Sequence, residues 1–244
     1  MDLYTFLDQS VKEDFDEERI LKLSSRGSVI RLRHRESHRY YICRRGETPL
    51  PVYFLLVGRS CPQLPRIYEA AQSIPAPDAP SGTPAKVLIL EEYIAGDSLS
   101  DLIACGPLTP QQTRHIALEL CKALYVLHSL GWVHRDVKPD NVIISGNRAV
   151  LIDFDAARYH DLPKDQDTRI LGTVGYAPPE QYGLSETDYR ADIYAMGVLI
   201  NEMLTGQHPS KELAKGREGR IVSRCTMISP NKRYHSVREL MEAL

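Results

Sequence analysis

The clearest chemistry in this sequence lies at the two ends of one predicted hairpin. Asn141 precedes the short apolar segment 142–144, and Asp153 follows a second one, 149–152, with the turn residues Ser-Gly-Asn between them. This pattern predicts two antiparallel strands joined by a tight turn. Because a hairpin places the start of its first strand beside the end of its second, we expect Asn141 and Asp153 to emerge side by side.

The side chains expected at this end of the hairpin suit the transfer of a phosphoryl group. Asn141 and Asp153 offer an amide oxygen and a carboxylate, which are hard ligands suited to magnesium. Lys138, on the loop that leads in, can neutralise a phosphate as a point charge. Asp136 can accept a hydroxyl proton. Positioning and charge neutralisation are the main demands of phosphoryl transfer.

The elements that must position these residues divide the chain into a strand-rich first part and a helical second part. Residues 26–45 are rich in β-branched and aromatic residues at their two ends, which predicts two strands joined by the polar turn 34–38. Residues 85–94 predict another strand. Between these strands, four prolines at 75–84 indicate a loop, because proline removes a backbone donor and fixes φ.

Helical signals begin after Gly96. Thr109 is a typical N-cap residue, Pro110 occupies the first helical position and Gln112 completes a capping box. Apolar residues follow at helical spacing, and Gly131 is predicted to end this helix.

Two further helices are predicted downstream. Residues 188–206 are apolar almost all round between 193 and 200, which predicts a buried central helix ending at its glycine. Ser236 and Glu239 have the spacing of a second capping box at the start of a last helix.

Composition bounds the class of protein. The chain has 244 residues, 43% of them hydrophobic, and a net charge of −2, which predicts one or two ordinary globular domains and no general nucleic-acid binder. A basic run at 31–39 could form a nucleic-acid patch, but we favour the solvated face of a strand pair. The acidic start, the short apolar runs and five scattered cysteines predict a cytoplasmic protein without a signal peptide or membrane segment.

Several motifs, in this order, resemble those of eukaryotic-type (Hanks-type) bacterial serine/threonine protein kinases. They are "LILEEYIAGDSL", like the segment between the lobes; "HRDVKPDN" followed by "DF", like the catalytic loop and metal motif; "GTVGYAPPE"; the helix "DIYAMGVLINEMLTG"; and "SPNKRY", like the late arginine motif. The resemblance covers nearly the whole chain. It implies an α+β, two-lobed protein-kinase-like fold and a single domain over 1–244, with a small antiparallel-sheet N-lobe at about 1–93 and a larger, mainly helical C-lobe at about 96–244.

The resemblance also implies roles for individual residues. Asp136 would be the catalytic base and Lys138 would contact the transferring phosphate, with Mg2+ held by Asn141 and Asp153. The residues expected to bind ATP are Gly27, Val29, Arg44, Glu92, Ile94, Lys138, Asn141 and Asp153.

The family pattern further implies a regulatory set and two structural contacts. Phosphorylation of Thr168 would create a partner for Arg135, and Thr173 would touch the catalytic residues and signal a preference for serine or threonine. The structural contacts would join Asp192 to the backbone of the catalytic loop and Arg233 to Glu180.

The first part of the chain departs from the family pattern. The three positions of the glycine-rich loop fall on Lys22, Ser24 and Gly27, so one glycine remains. Spacing places Arg44 where the family has its phosphate-clamping lysine, with a surface position for Arg44, or a slip to Arg45, as the alternatives. The helix position of the usual glutamate partner falls at about Val52, where no acid stands.

We therefore expect a serine/threonine protein kinase that uses ATP and Mg2+, acts on protein substrates and phosphorylates itself. Two alternatives remain. One is a pseudokinase or scaffold that binds nucleotide or partners with little catalysis, favoured by the eroded phosphate loop. The other is a small-molecule phosphotransferase of related fold, which "GTVGYAPPE" and the Asp192 helix disfavour.

Spacing also puts Glu91 at the position that borders the adenine pocket in the family.

Overall fold

The chain forms two compact units, each of which is described by itself. The computed structural model describes residues 2–24, 27–47, 51–75, 83–160, 175–182 and 188–244. The first unit comprises Met1–Ser60 and Pro65–Ile94, and the second comprises Cys61–Leu64 and Ala95–Leu244. A five-stranded antiparallel sheet followed by helices confirms the predicted α+β class.

The first unit is built on the five-stranded sheet, whose strand order is β1-β2-β3-β5-β4. The strands predicted at 26–45 and 85–94 are confirmed as β2, β3 and β5. The bounds are β1 Phe15–Ser24, β2 Gly27–His34, β3 Tyr40–Gly46, β4 Ile67–Gln72 and β5 Val87–Glu92. All neighbouring strands in this sheet are antiparallel.

Within the described residues two helices accompany the sheet, and the first was not predicted from its sequence. Helix α1 spans Leu3–Asp14, and α2 spans Pro51–Leu56. The Asp2 side chain caps α1 by accepting the Thr5 N–H at 2.7 Å. Leu7 and Val11, one helical turn apart, are buried in the apolar cluster on one face of the sheet, whose other members are Ile30, Leu32, Cys43, Ala71, Leu88 and Leu90. The burial of these two side chains, which form a narrow apolar stripe, stabilises α1 despite its acidic sequence.

The second unit is mainly helical. It contains short strands in a three-stranded sheet, β6-β8-β9, and a two-stranded sheet, β10-β7. Its elements are β6 Asp97–Ser98, α3 Leu99–Ala104, α4 Pro110–Ser129, β7 Trp132–Val133, β8 Val142–Ser145, β9 Arg148–Leu151, β10 Arg158–Tyr159, α5 Arg190–Thr205, α6 Gly216–Cys225 and α7 Val237–Ala243.

Helix α4 begins as its sequence predicts. The Thr109 hydroxyl accepts the Gln112 N–H at 3.3 Å, and the Gln112 side chain accepts the Thr109 N–H at 3.0 Å, so the capping box is confirmed. The helix ends at Ser129. Gly131 follows with φ of 82°, and a Cβ atom there would lie 2.4 Å from the Tyr159 ring, so this position requires glycine.

Helix α5 is the buried central helix that the apolar run predicts. Gly206 caps it with φ of 68° and donates its N–H to the Glu202 carbonyl. A Cβ atom on Gly197 would lie 2.4 Å from the Cys225 side chain, which shows how closely α5 and α6 approach.

The capping box predicted for α7 is only half correct. Ser236 caps the helix by accepting the Glu239 N–H at 3.2 Å. The Glu239 carboxylate, however, accepts the N–H of His235 at 2.7 Å, one residue earlier than a capping box requires.

The cysteines and the helices bear on two expectations drawn from composition. All five cysteines are free thiols. Burial raises the pKa of Cys43 to about 11 and that of Cys121 to about 12, so both serve as small apolar side chains. Among the helices within the described ranges, none combines the length and the apolar character needed to cross a membrane.

The packing of α1 can be tested by comparing two neighbouring residues. Leu7→Ala should lower the free energy of unfolding by about 2–3 kcal/mol, because Leu7 is buried in the sheet cluster. Phe6→Ala should change it by less than about 0.5 kcal/mol, because the Phe6 side chain is exposed. Urea unfolding followed by circular dichroism measures both. Equal losses would contradict this account of how α1 is held.

Candidate active site

The predicted hairpin is confirmed as β8 and β9. Val142 pairs with Leu151, and beyond this pair the Ile152 N–H donates to the Asn141 carbonyl at 2.9 Å. The ladder therefore extends to the residue directly before Asp153. Asn141 and Asp153 consequently leave the hairpin at the same end, as the sequence predicts.

Three predicted site residues come together on the loop before the hairpin. The Asn141 amide nitrogen donates to the Asp136 carbonyl at 2.8 Å and to the Asp136 carboxylate at 2.9 Å. The Lys138 ammonium lies 2.8 Å from the same carboxylate. Asn141 is buried, whereas Asp136 and Lys138 are partly exposed. The Asp136 carboxylate is therefore oriented from two sides and still accessible to a reactant.

Asp153 adopts a left-handed backbone conformation, with φ of 66°. Its carboxylate accepts the N–H of Asp155 at 3.2 Å, a local bond of the kind that lets aspartate tolerate this conformation. The next residue, Phe154, is fully buried and meets the His134 ring edge to face, with centroids 5.7 Å apart. The hairpin and this aromatic contact together fix the segment that carries Asp153.

The loop 134–136 is anchored by Asp192 of α5. The Asp192 carboxylate accepts the N–H of His134 at 2.9 Å and that of Arg135 at 2.8 Å, which confirms the predicted contact with the loop backbone. His128 contributes a third contact at 2.8 Å. Burial acts to raise the pKa of Asp192, but the hydrogen bonds from His128 and the backbone outweigh it and lower the pKa.

His134 is held in its neutral form. Complete burial lowers the pKa of His134 despite the nearby carboxylates, led by Asp192. The Asp136 N–H points at Nδ1 from 3.3 Å, which requires an unprotonated nitrogen there. His134 thus packs against Phe154 and helps to orient the loop.

A second buried contact joins Arg233 to Glu180, as predicted. Both guanidinium Nη groups donate to the Glu180 carboxylate, and the Arg233 side chain is fully buried. Its remaining N–H groups donate to backbone carbonyls of Met227, Arg190 and Ile228. All five donors of this arginine are therefore satisfied, as a buried charge requires.

One contact of the loop was not predicted. The Gln181 side-chain amide donates to the Arg135 carbonyl at 2.8 Å. A glutamine that bonds a distant backbone carbonyl leaves no periodic or spacing signal, so only the folded chain reveals it.

Apart from Arg44, the predicted ATP-binding residues of the first unit lie on β2 and at or just after the end of β5. Gly27 begins β2 with φ of 148°, and a Cβ atom there would lie 2.0 Å from the Arg45 carbonyl, so glycine is required. Val29 lies opposite Arg44 in the sheet. Glu92 ends β5, and Ile94 lies two residues beyond it, outside any helix or strand.

Arg44 is buried, which contradicts the alternative that it is a surface residue. Its Nε lies 2.8 Å from the Glu91 carboxylate. Arg45 instead pairs with Glu17 at 2.8 Å and lies 3.4 Å from Asp8, in a more exposed environment.

The departures noted in the sequence also have structural counterparts. Lys22 and Ser24 lie on the exposed strand β1, where Ser24 pairs with Gly27. Helix α2 contains Val52 and no acidic residue. The regulatory candidates Thr168 and Thr173 lie outside the described residues.

The residues at the hairpin fit a magnesium ion. Because the Asn141 amide nitrogen donates to Asp136, its amide oxygen is the atom that could serve as a ligand, and Asp153 emerges at the same end of the hairpin. Within the described ranges no cluster of three histidine, cysteine or acidic residues suits a metal. Magnesium does not require one, since phosphates and water complete its shell.

Comparison with known proteins points to one family. The family profile described as the protein kinase domain matches residues 58–242. Serine/threonine-protein kinase PknB of Mycobacterium leprae is 39% identical over 50% of this chain and 20% of its own length. PknB of Mycolicibacterium smegmatis is 35% identical over 61% and 24%, and kinase pkn2 of Myxococcus xanthus is 35% identical over 50% and 16%. The matched region thus spans about a fifth of these relatives.

The burial of His134 predicts a pH dependence of stability. Its pKa is lowered in the folded state, so the unfolded chain binds the proton first as the pH falls. The free energy of unfolding therefore has its full value above the ordinary histidine pKa of about 6.5. It falls as the pH drops below that value, with a slope of at most about 1.4 kcal/mol per pH unit.

Urea unfolding between about pH 7.5 and 5.5 measures this slope. His134→Phe should flatten it, whereas the exposed His235→Gln should leave it in place. An unchanged slope in His134→Phe would show that other groups cause the acid sensitivity.

Proposed function

The chain belongs to the protein kinase family, and on this premise we propose that it is a serine/threonine protein kinase. It would transfer the γ-phosphate of ATP to hydroxyl groups of proteins, its own included. The observation that carries this proposal is the contact set of Asp136, Lys138 and Asn141, held on the buried carboxylate of Asp192. A binding module without chemistry has no need of a carboxylate oriented from two sides.

The reaction would proceed through these side chains. The substrate hydroxyl oxygen forms a bond to the γ-phosphorus while the bond from that phosphorus to the bridging oxygen breaks, and ADP leaves. Asp136 accepts the hydroxyl proton, and Lys138 neutralises charge on the transferring group. Asn141 keeps the Asp136 carboxylate in position. Asn141 and Asp153 would hold Mg2+, which supplies further charge neutralisation when bound.

Control by phosphorylation belongs to the same proposal. Arg135 is buried next to Asp136, and its backbone is bonded on both sides, to Asp192 and to Gln181. A phosphate on Thr168 would pair with its guanidinium, and Thr173 would contact the catalytic residues. We also propose that residues 1–244 act as a single kinase domain.

A pseudokinase is the second candidate, and two observations favour it. Helix α2 contains no acid, so the ion pair that marks active kinases cannot form in its usual place. Lys22 and Ser24, at the positions of phosphate-loop glycines, would also crowd the approach of backbone amides to phosphate.

Labelling with ATP separates the two functions. We expect wild-type protein with Mg-ATP to label itself and a generic basic protein, and Asp136→Asn to lose about 10²–10⁴-fold of this rate because its general base is gone. Asp140→Asn is a matched control, since Asp140 is exposed on the same loop.

Two other outcomes of the labelling experiment would contradict the kinase proposal. Wild-type protein that neither labels a protein nor shifts its melting temperature with Mg-ATP would exclude the kinase proposal. A thermal shift without labelling would favour the pseudokinase.

A further inference from the structure

A buried ion pair lies within the sheet of the first unit. The Arg44 guanidinium, through Nε, lies 2.8 Å from the Glu91 carboxylate, and the two side chains are only 9% and 5% exposed. The Arg44 guanidinium also lies over the Tyr53 ring of α2, 5.3 Å from its centroid. Glutamate and arginine are rarely buried unless they are paired, so this arrangement calls for a reason.

The register of β3 against β5 brings the pair together. Ile42 lies opposite Glu91, and Arg44 lies opposite Ile89. Alternate residues of a strand share a face, so Arg44 and Glu91 are diagonal neighbours on one face. Ile42 and Ile89, on that same face, are buried as well. The pair is therefore fixed by the hydrogen-bonded ladder and surrounded by apolar side chains.

Stability alone does not account for two charges at this place. Removing an arginine and a glutamate from water costs more than their attraction usually returns, and apolar residues of similar volume are often as stable or better. The same sheet contains a more exposed counterpart, Arg45 with Glu17, at the same 2.8 Å distance. A pair held in the interior instead is better explained by what the cation does.

We propose that Glu91 is the positioning residue for Arg44, holding its guanidinium so that the Nη groups meet the α- and β-phosphates of ATP. This inference rests on the proposed kinase function. In active kinases the phosphate-clamping lysine is held by a glutamate from a helix. Here α2 offers no acid, and β5 supplies the carboxylate in its place.

The chemistry of arginine fits this arrangement. A guanidinium is a planar fork, and donation through Nε to Glu91 is compatible with bidentate binding of phosphate by the two Nη groups. A lysine ammonium has a single nitrogen, so it lacks a separate pair of nitrogen atoms for bidentate binding of phosphate. Both members of the ion pair lie on neighbouring strands, and α2 contributes the Tyr53 ring that packs against the Arg44 guanidinium.

The test compares ATP with adenosine, because only ATP carries the phosphates that Arg44 would bind. Glu91→Ala and Arg44→Ala should each weaken Mg-ATP binding by about ten- to one-hundred-fold, the range for hydrogen bonds to charged groups, and weaken adenosine binding far less. Glu91→Gln should recover part of the loss, because its amide oxygen still accepts the Nε–H. The double variant should bind ATP no more weakly than Arg44→Ala.

Matched controls and a second variant guard against a purely structural effect. Arg45→Ala and Glu17→Gln break the more exposed pair of the same sheet and should leave ATP affinity unchanged. If the single variants unfold, the apolar exchange Arg44→Met with Glu91→Leu should restore folding and adenosine binding without the phosphate-dependent part of the affinity.

Three results would overturn the assignment. Glu91→Ala could bind ATP as the wild type does, or it could lose ATP and adenosine equally, which indicates a structural role. The apolar exchange could also keep the wild-type ratio of the two affinities. In each of these cases wild-type labelling would still support the kinase function. If the wild-type protein binds no ATP, the kinase proposal fails, and the assignment of Glu91 as the positioning residue fails with it.

Discussion

The second unit depends on one buried carboxylate, that of Asp192. It accepts two consecutive backbone N–H groups, from His134 and Arg135, and a contact from His128, and the Asp192 and His134 side chains are fully buried. Unpaired, each of these buried donors would cost about 1–3 kcal/mol. The loop is therefore held in one conformation, with φ of 68° at Arg135, and this conformation directs Asp136 and Asn141 toward each other.

Further contacts extend this anchoring to the segment 179–182. Gln181 bonds the Arg135 carbonyl, and Glu180 forms a two-point ion pair with Arg233. Arg233 in turn bonds the Arg190 carbonyl at the start of α5, the helix that carries Asp192. The loop, the segment and the helix thus form one connected polar network. Because every donor of Arg233 has an acceptor, the network adds order without leaving a buried charge uncompensated.

The first unit also contains a buried charged side chain, and it is paired in a different way. Its buried cation, Arg44, is paired from the neighbouring strand by Glu91 and not from α2. A carboxylate on a strand is fixed by the backbone ladder, whereas one on a helix can move with that helix. Helix α2 carries no acid, and the carboxylate that meets Arg44 stands on β5.

The sequence by itself determined what depends on neighbouring residues. The turn after Ser145, the capping box at Thr109 and the glycine stop at Gly206 act within a few positions, so the hairpin, α4 and α5 were predictable. Only the tertiary structure decided which distant groups meet. Helix α1 is stabilised by the burial of two side chains, too narrow a stripe to recognise, and the contacts of Arg44 with Glu91 and of Gln181 with Arg135 follow from strand register and chain packing. Spacing along the chain does not encode these, because they arise from interactions between segments.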